Sequence, residues 1–225
     1  VLVKQEDISP AHILDEYGLC TLCGEADPHY LRFVLNTETQ TYSVGAGAGF
    51  DRETVKIPDT FKGLPVVEVF ENAFSGKKTL KSITFGANIT KISNGDSSKT
   101  SYAFYGCENL QEVVLNEGLQ EIGLGAFYFC SKLSEITIPS TLVKIDYRAF
   151  SRCSFESVYI PSSVVRMGNL IFGDNLNTDL VINCAASSEP SGWSKGNMTN
   201  NYISWNSKDE KFGKPTYKVN YGVEN

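Results

Sequence analysis

Histidine is nearly missing from this chain, with two in 225 residues. Both, His12 and His29, stand near the start, so no Ser-His-Asp or Cys-His catalytic set can be assembled in the rest of the chain. A basic excess is missing too: 20 Lys and Arg against 26 Asp and Glu leave a net charge of −6. That balance argues against nucleic acid and anionic membrane as natural partners, because both are held by a basic face. No apolar run approaches the ~18 residues that a membrane-spanning helix needs, so direct insertion is not expected. There is no charged start followed by an apolar stretch, and hence no recognisable signal peptide. The abrupt opening at Val1 and the finish at Asn225 are those expected of a piece of a longer polypeptide, with targeting signals outside it.

What the chain does have is a period. The pair Ala-Phe recurs with Phe104, Phe127 and Phe150 spaced by 23 residues, and Phe172 follows 22 later. Ala73-Phe74 precedes Phe104 by 30, an excess of seven that marks an insertion at Asn94 to Thr100. A repeat in the range of roughly 20–50 residues indicates a solenoid, whose units bury their apolar faces only by stacking on one another.

Aligned on that pair, the best unit runs Ala126-Phe127, Cys130, Leu133, Ile136, Ile138-Pro139, Leu142, Ile145. Its neighbours carry Cys107 and Cys153 in the cysteine slot, while the outer copies carry Lys77 and Asn175 there. Stacked equivalents point their Cβ atoms in parallel, so these cysteines are expected to be buried thiols acting as small hydrophobes. Leu133 to Ile138 alternates apolar and polar and predicts a strand, which Pro139 ends because proline donates nothing to a ladder. Leu142 to Ile145 predicts a second short strand, and Ala149-Phe150 a tight turn or short 3₁₀ or helical segment.

The pattern carried by Leu133, Ile136, Ile138, Pro139, Leu142, Ile145, Ala149, Phe150 and Cys153 resembles the BspA-like leucine-rich repeat of bacterial cell-surface proteins. Val55 to Val66 resembles that family's entry unit, and Pro190-Ser191-Gly192-Trp193 its C-terminal cap. The resemblance implies a right-handed, β-rich leucine-rich-repeat superhelix, capped at both ends, on a secreted or cell-surface protein used for adhesion or recognition. It brings no fixed ligand, cofactor or catalytic residue. The expected division is an N-terminal segment over 1–29, a hairpin cap over 30–54, the solenoid over 55–183, and a C-terminal cap and exit linker over 184–225.

At the ends, Leu31 to Val44 reads as a hairpin, and Gly45, Gly47 and Gly49 as a flexible turn into the first unit. No Lys-Ser/Thr follows those glycines, so they do not form a phosphate loop. Cys20-x-x-Cys23 supplies two ligands at the bite of a zinc knuckle, with His12 and His29 flanking it. It reads as a possible metal half-site, a remnant without metal, or a local disulfide. A redox reading lacks the βαβ pattern it needs.

The repeat register defines where a partner would sit. Lys56, Thr84, Val114, Thr137, Tyr159 and Val181 are expected to form one inner ladder, with Thr54, Ser82, Glu112, Glu135, Ser157 and Asp179 beside it. Of these, Lys56, Thr84, Glu112, Val114, Glu135, Thr137, Ser157 and Tyr159 are the candidate ligand-binding residues. Glu68, Lys91, Glu121, Lys144 and Arg166 are expected to form a mixed-charge row on the second strand, as a solvated face does. Tyr102, Tyr105, Tyr128, Tyr147 and Tyr159 fall on or near repeat turns, where they serve either recognition or packing. Asn88-Ile89-Thr90 and Asn197-Met198-Thr199 match the glycosylation sequon. Glu112 and Glu135 are equivalents on an open sheet, where no burial separates their pKa values for acid-base work. The sequence therefore points to a non-enzymatic module that binds a host or matrix protein, or else to a structural spacer. Val114, Tyr159 and Val181 break the polar ladder and favour binding.

Overall fold

The computed structural model describes residues 13–95, 101–193 and 217–224. His12, Thr100, Asn197 and most of the insertion lie outside them. In chain order the strands are β1 (Leu31–Asn36), β2 (Thr41–Ala46), β3 (Thr54–Lys56), β4 (Thr60–Phe61), β5 (Leu64–Val69), β6 (Ser82–Thr84) and β7 (Lys91–Ile92). They continue with β8 (Glu112–Val114), β9 (Glu121–Ile122), β10 (Lys144–Ile145), β11 (Ser157–Ile160), β12 (Arg166–Met167), β13 (Val181–Cys184) and β14 (Lys218–Tyr221). No helix occurs among the described residues.

Strands one period apart pair in parallel, which is the repeat made physical. The outer sheet runs β1-β2-β5-β7-β9-β10-β12 and is parallel from β2 onward; β1 and β2 form the antiparallel hairpin that opens it. Glu68, Lys91, Glu121, Lys144 and Arg166 lie in one register across it, so the mixed-charge row forms as expected. Glu68 meets Lys91 at 3.5 Å and Glu121 meets Arg166 at 3.9 Å, exposed pairs of the kind that add only tenths of a kcal/mol, about 0.2–1 each.

Between the sheets runs a column of parallel phenyl rings. Phe74, Phe104, Phe127, Phe150 and Phe172 are fully buried, with successive centroids 5.1, 4.9, 5.4 and 5.7 Å apart. Ala103, Ala126 and Ala149 beside them are also fully buried, and a larger side chain there would displace a neighbouring turn. The turns form a third ladder: Phe104 N–H donates to the Ala126 carbonyl, Phe127 to Ala149, and Phe150 to Ile171, each at 2.8 Å.

These turns are not helical because left-handed residues flank the Ala-Phe pair. Two positions after the Phe, Gly76, Gly106, Phe129, Arg152 and Asp174 all have φ between 52° and 68°. One position before the Ala, or before Ile171 in the last unit, Asn72, Gly125, Arg148 and Leu170 do the same. Glycine takes that conformation freely, whereas Phe129 and Arg152 carry a cost of about 1–2 kcal/mol each. Arg152 lies 5.8 Å over the Phe129 ring, which places the two strained residues in contact.

The cysteines stack as the register requires and do more than fill space. Cys107 Sγ–H donates to the Phe74 carbonyl at 3.0 Å, Cys130 to Phe104 at 3.2 Å, and Cys153 to Phe127 at 3.4 Å. Burial pushes the Cys107 and Cys184 thiols up to about 12, and those of Cys130 and Cys153 well above the usual thiol value. A group whose folded pKa is raised stabilises the fold fully below its unfolded pKa, and that contribution fades as pH climbs through the folded value. Stability is therefore expected to fall from about pH 9 upward. In a native-state titration with an aromatic disulfide reagent at pH 8, Cys107, Cys130, Cys153 and Cys184 should react only after denaturant is added, and exposed Cys23 at once.

Two features depart from the sequence reading, and a third takes one of the alternatives it left open. Gly45, Gly47 and Gly49 form a packed crossing: a Cβ would come within 2.3 Å of the Phe70 ring, 2.0 Å of the Pro28 carbonyl oxygen and 2.6 Å of the His29 ring respectively. The exit segment over 206–225, whose sequence reads as a polar exit strand or a linker, contains β14, which joins β13 in parallel as a last rung of an inner sheet. The expected strand over Leu133 to Ile138 is not formed.

Candidate functional site

The inner sheet positions the candidate residues. β3, β6 and β8 form one ladder, in which Thr54, Ser82 and Glu112 share a register and Lys56, Thr84 and Val114 share the next exposed one. β11, β13 and β14 form another. Between β8 and β11 the rung Glu135 to Ile138 pairs with neither, although its polar and apolar order matches that of β6 with Phe85.

The contrast with the intact rungs is direct. The Thr84 carbonyl accepts from Ile57 N–H at 2.9 Å and the Val114 carbonyl from Phe85 N–H at 2.9 Å. The backbone groups of Glu135 to Ile138 take no such partner among the described residues. Ile136 is only half-buried, where its equivalents Ile83 and Val158 are buried.

A cleft of about 340 Å³ opens at this interruption. Glu135, Ile136, Thr137 and Ile138 form one side, Ser157, Val158, Tyr159 and Asn183 the other, and Val223 with Glu224 the rim. The rim is held by Gly222 N–H to the Ala186 carbonyl at 2.8 Å and Val223 N–H to the Cys184 carbonyl at 3.0 Å. The structure thus brings together Glu135, Thr137, Ser157 and Tyr159. Thr84, Glu112 and Val114 lie on the adjoining rungs, with Val114 44% exposed and Glu112 accepting from Ser82 Oγ–H at 2.9 Å.

Lys56 is set apart. Its ammonium bonds Glu16, and its N–H donates to Tyr30 Oη at 3.4 Å, so the N-terminal segment lies over the first rung. That contact joins residues 40 apart, and nothing in the repeat pattern announces it. The last rung also differs from expectation. Val181 pairs with Ser157 and Asn183 with Tyr159, so Val181 moves to the other row and Asp179 precedes the strand. Val219 and Asn220 continue the rows on β14, with Asn220 Nδ2–H donating to Asn183 Oδ1 at 2.9 Å.

The tyrosines near the turns pack on one another. Tyr105 stacks on Tyr128 at 5.6 Å, Tyr102 meets both edge-on, and Arg148 lies 5.5 Å over Tyr128 and 5.2 Å over Tyr147. For these four, packing has the contacts; Tyr159 lies instead on β11 at the cleft.

Cys20 and Cys23 sit at a tight loop in which Cys23 N–H points at Cys20 Sγ, 3.4 Å away. That backbone donor is the largest cause holding the Cys20 thiol below its usual value. His29 Nδ1 lies 3.0 Å from the Gly49 carbonyl oxygen, and no group of three or more metal-ligating side chains forms among the described residues.

A family model for the BspA type leucine rich repeat region matches residues 51–179 in six copies. A search of curated proteins finds no match. Among solved structures, a leucine rich repeat protein of T. pallidum superposes with a TM-score of 0.61 and 28% identity, over 68% of each chain. A leucine-rich repeat protein from Bacteroides ovatus superposes with a TM-score of 0.57 and 22% identity, over 68% of this chain and 45% of that one. Repeats of this family and fold are generally non-enzymatic.

Proposed function

We propose, because this chain belongs to the BspA-type leucine-rich-repeat family, that it is a protein-binding module of a secreted or cell-surface protein. Its inner face, from Thr84 to Tyr159, engages a host or matrix protein. The carrying observation is the cleft at the interrupted rung, which places Tyr159, Thr137 and Ser157 around one concavity beside exposed Val114. Tyrosine offers large contact area at low entropic cost, and a concave patch lets water be excluded around it. The N-terminal segment over Lys56 and the C-terminal tail bracket the stretch left open.

Solid-phase binding of the purified chain to a panel of matrix and serum proteins tests this reading. Saturable binding is expected, weakened by about 2 kcal/mol in Tyr159→Ala, the size of an interface hot spot. Lys144→Glu on the outer row should leave it unchanged. Absence of saturable binding by the folded chain would favour the spacer reading instead.

A further inference from the structure

The interrupted rung has a chemistry of its own. Among the residues that line the cleft are two acidic ones, Glu135 and Glu224, and three that carry hydroxyls, Thr137, Ser157 and Tyr159, with the unladdered Glu135–Ile138 segment along it. No Lys, Arg or His lines it. Glu135 and Glu224 have no cationic partner among the described residues, whereas Glu16, Glu25, Glu53, Glu68, Glu108 and Glu121 each have one. Lys218 lies on the same row as Ser157, two rungs beyond it, at about 9.6 Å from the rung spacing.

We infer that this cleft receives an arginine side chain presented by an extended segment of the partner protein, a subsite that rests on the inner-face reading above. A guanidinium carries five donors in a planar fork and no acceptor, which suits a site offering two carboxylates and unpaired carbonyls. The Tyr159 ring supplies a face on which that plane can stack. Glu135 on one side and Glu224 at the rim provide charge-assisted bonds, the stronger class. The cleft exceeds the volume of a guanidinium alone, so neighbouring partner backbone can reach the open N–H groups of Ile136 and Ile138. An ammonium, compact and strongly hydrated, fills the fork less well.

The test is nuclear magnetic resonance titration of the isotope-labelled full chain with nine-residue, end-blocked peptides of alternating threonine and serine. The central residue is arginine, its neutral isostere citrulline, or glutamate. Shifts at amides 135–138, 157–159 and 183 are expected with the arginine peptide, at an affinity about tenfold above the citrulline one. Glu135→Gln combined with Glu224→Gln should abolish that preference without changing the fold. If arginine and citrulline peptides shift the inner-face amides with equal affinity, the arginine subsite falls and the inner-face reading stands. If no peptide shifts them and the protein partner of the solid-phase assay does not either, both fall. A preference that survives the double substitution would also overturn the assignment of the two carboxylates.

Discussion

Phe127→Ala should cost about 3–5 kcal/mol, the range for deleting a fully buried aromatic. The ring is stacked at 4.9 Å on Phe104 and at 5.4 Å on Phe150, and its removal takes contacts from both neighbours at once. In a solenoid, stability is a sum of unit terms and nearest-neighbour interfaces, so the loss falls on coupling as much as on one unit. Urea unfolding should therefore shift to a lower midpoint and also broaden, as the halves on either side unfold separately. Tyr159→Ala, on the half-buried inner face, should change stability by less than about 1 kcal/mol. Equal losses in the two variants would contradict the assignment of the phenyl column as the structural axis.

Asn175 is the second position where a large effect is expected. It occupies the cysteine slot of the last repeat but behaves as a bridge. Its Oδ1 accepts from Phe155 N–H at 3.0 Å, and its Nδ2 donates to the carbonyls of Phe155 at 2.8 Å and Asn177 at 2.7 Å. Its own N–H donates to Tyr217 Oη at 3.1 Å, tying the repeat to the C-terminal segment. Asn175→Leu keeps the branched shape, with more bulk, but strands the backbone of fully buried Phe155, at about 1–3 kcal/mol for each orphaned group. Asn175→Cys, which restores the repeat pattern, should destabilise as well, because a thiol cannot bridge both groups. Denaturation midpoints and exchange of the Phe155 amide would show this. A Cys variant more stable than the wild type would refute it.

Much of this is legible from side-chain periodicity. The Phe and Ala columns, the cysteine stack and the outer row from Glu68 to Arg166 follow from repeat register alone, since equivalent positions must coincide once strands pair in parallel. The interrupted rung is not legible. Leu133 to Ile138 carries the same alternation as Leu80 to Phe85 around β6, and whether its backbone comes within bonding distance depends on how neighbouring units splay. The register of the last unit is misplaced in the sequence because Cys184 fills the slot of Ile160. Counting Leu180 and Ile182 as the apolar pair shifts that unit by two. The cover over Lys56 depends on Glu16 and Tyr30, which lie outside the repeats. The N-cap glycines look like a flexible turn in sequence, and only the Phe70 ring and Pro28 carbonyl reveal them as sites of close approach.

The inner face as the partner surface is the central claim, and site-specific photo-crosslinking tests it most directly. A benzophenone side chain would be placed at Thr137 in one variant and at Arg166 on the outer row in another. Each would be irradiated with the matrix or serum protein that the chain binds. A covalent adduct is expected from Thr137 and none from Arg166; an adduct from Arg166 alone would place the partner on the outer sheet and contradict the claim.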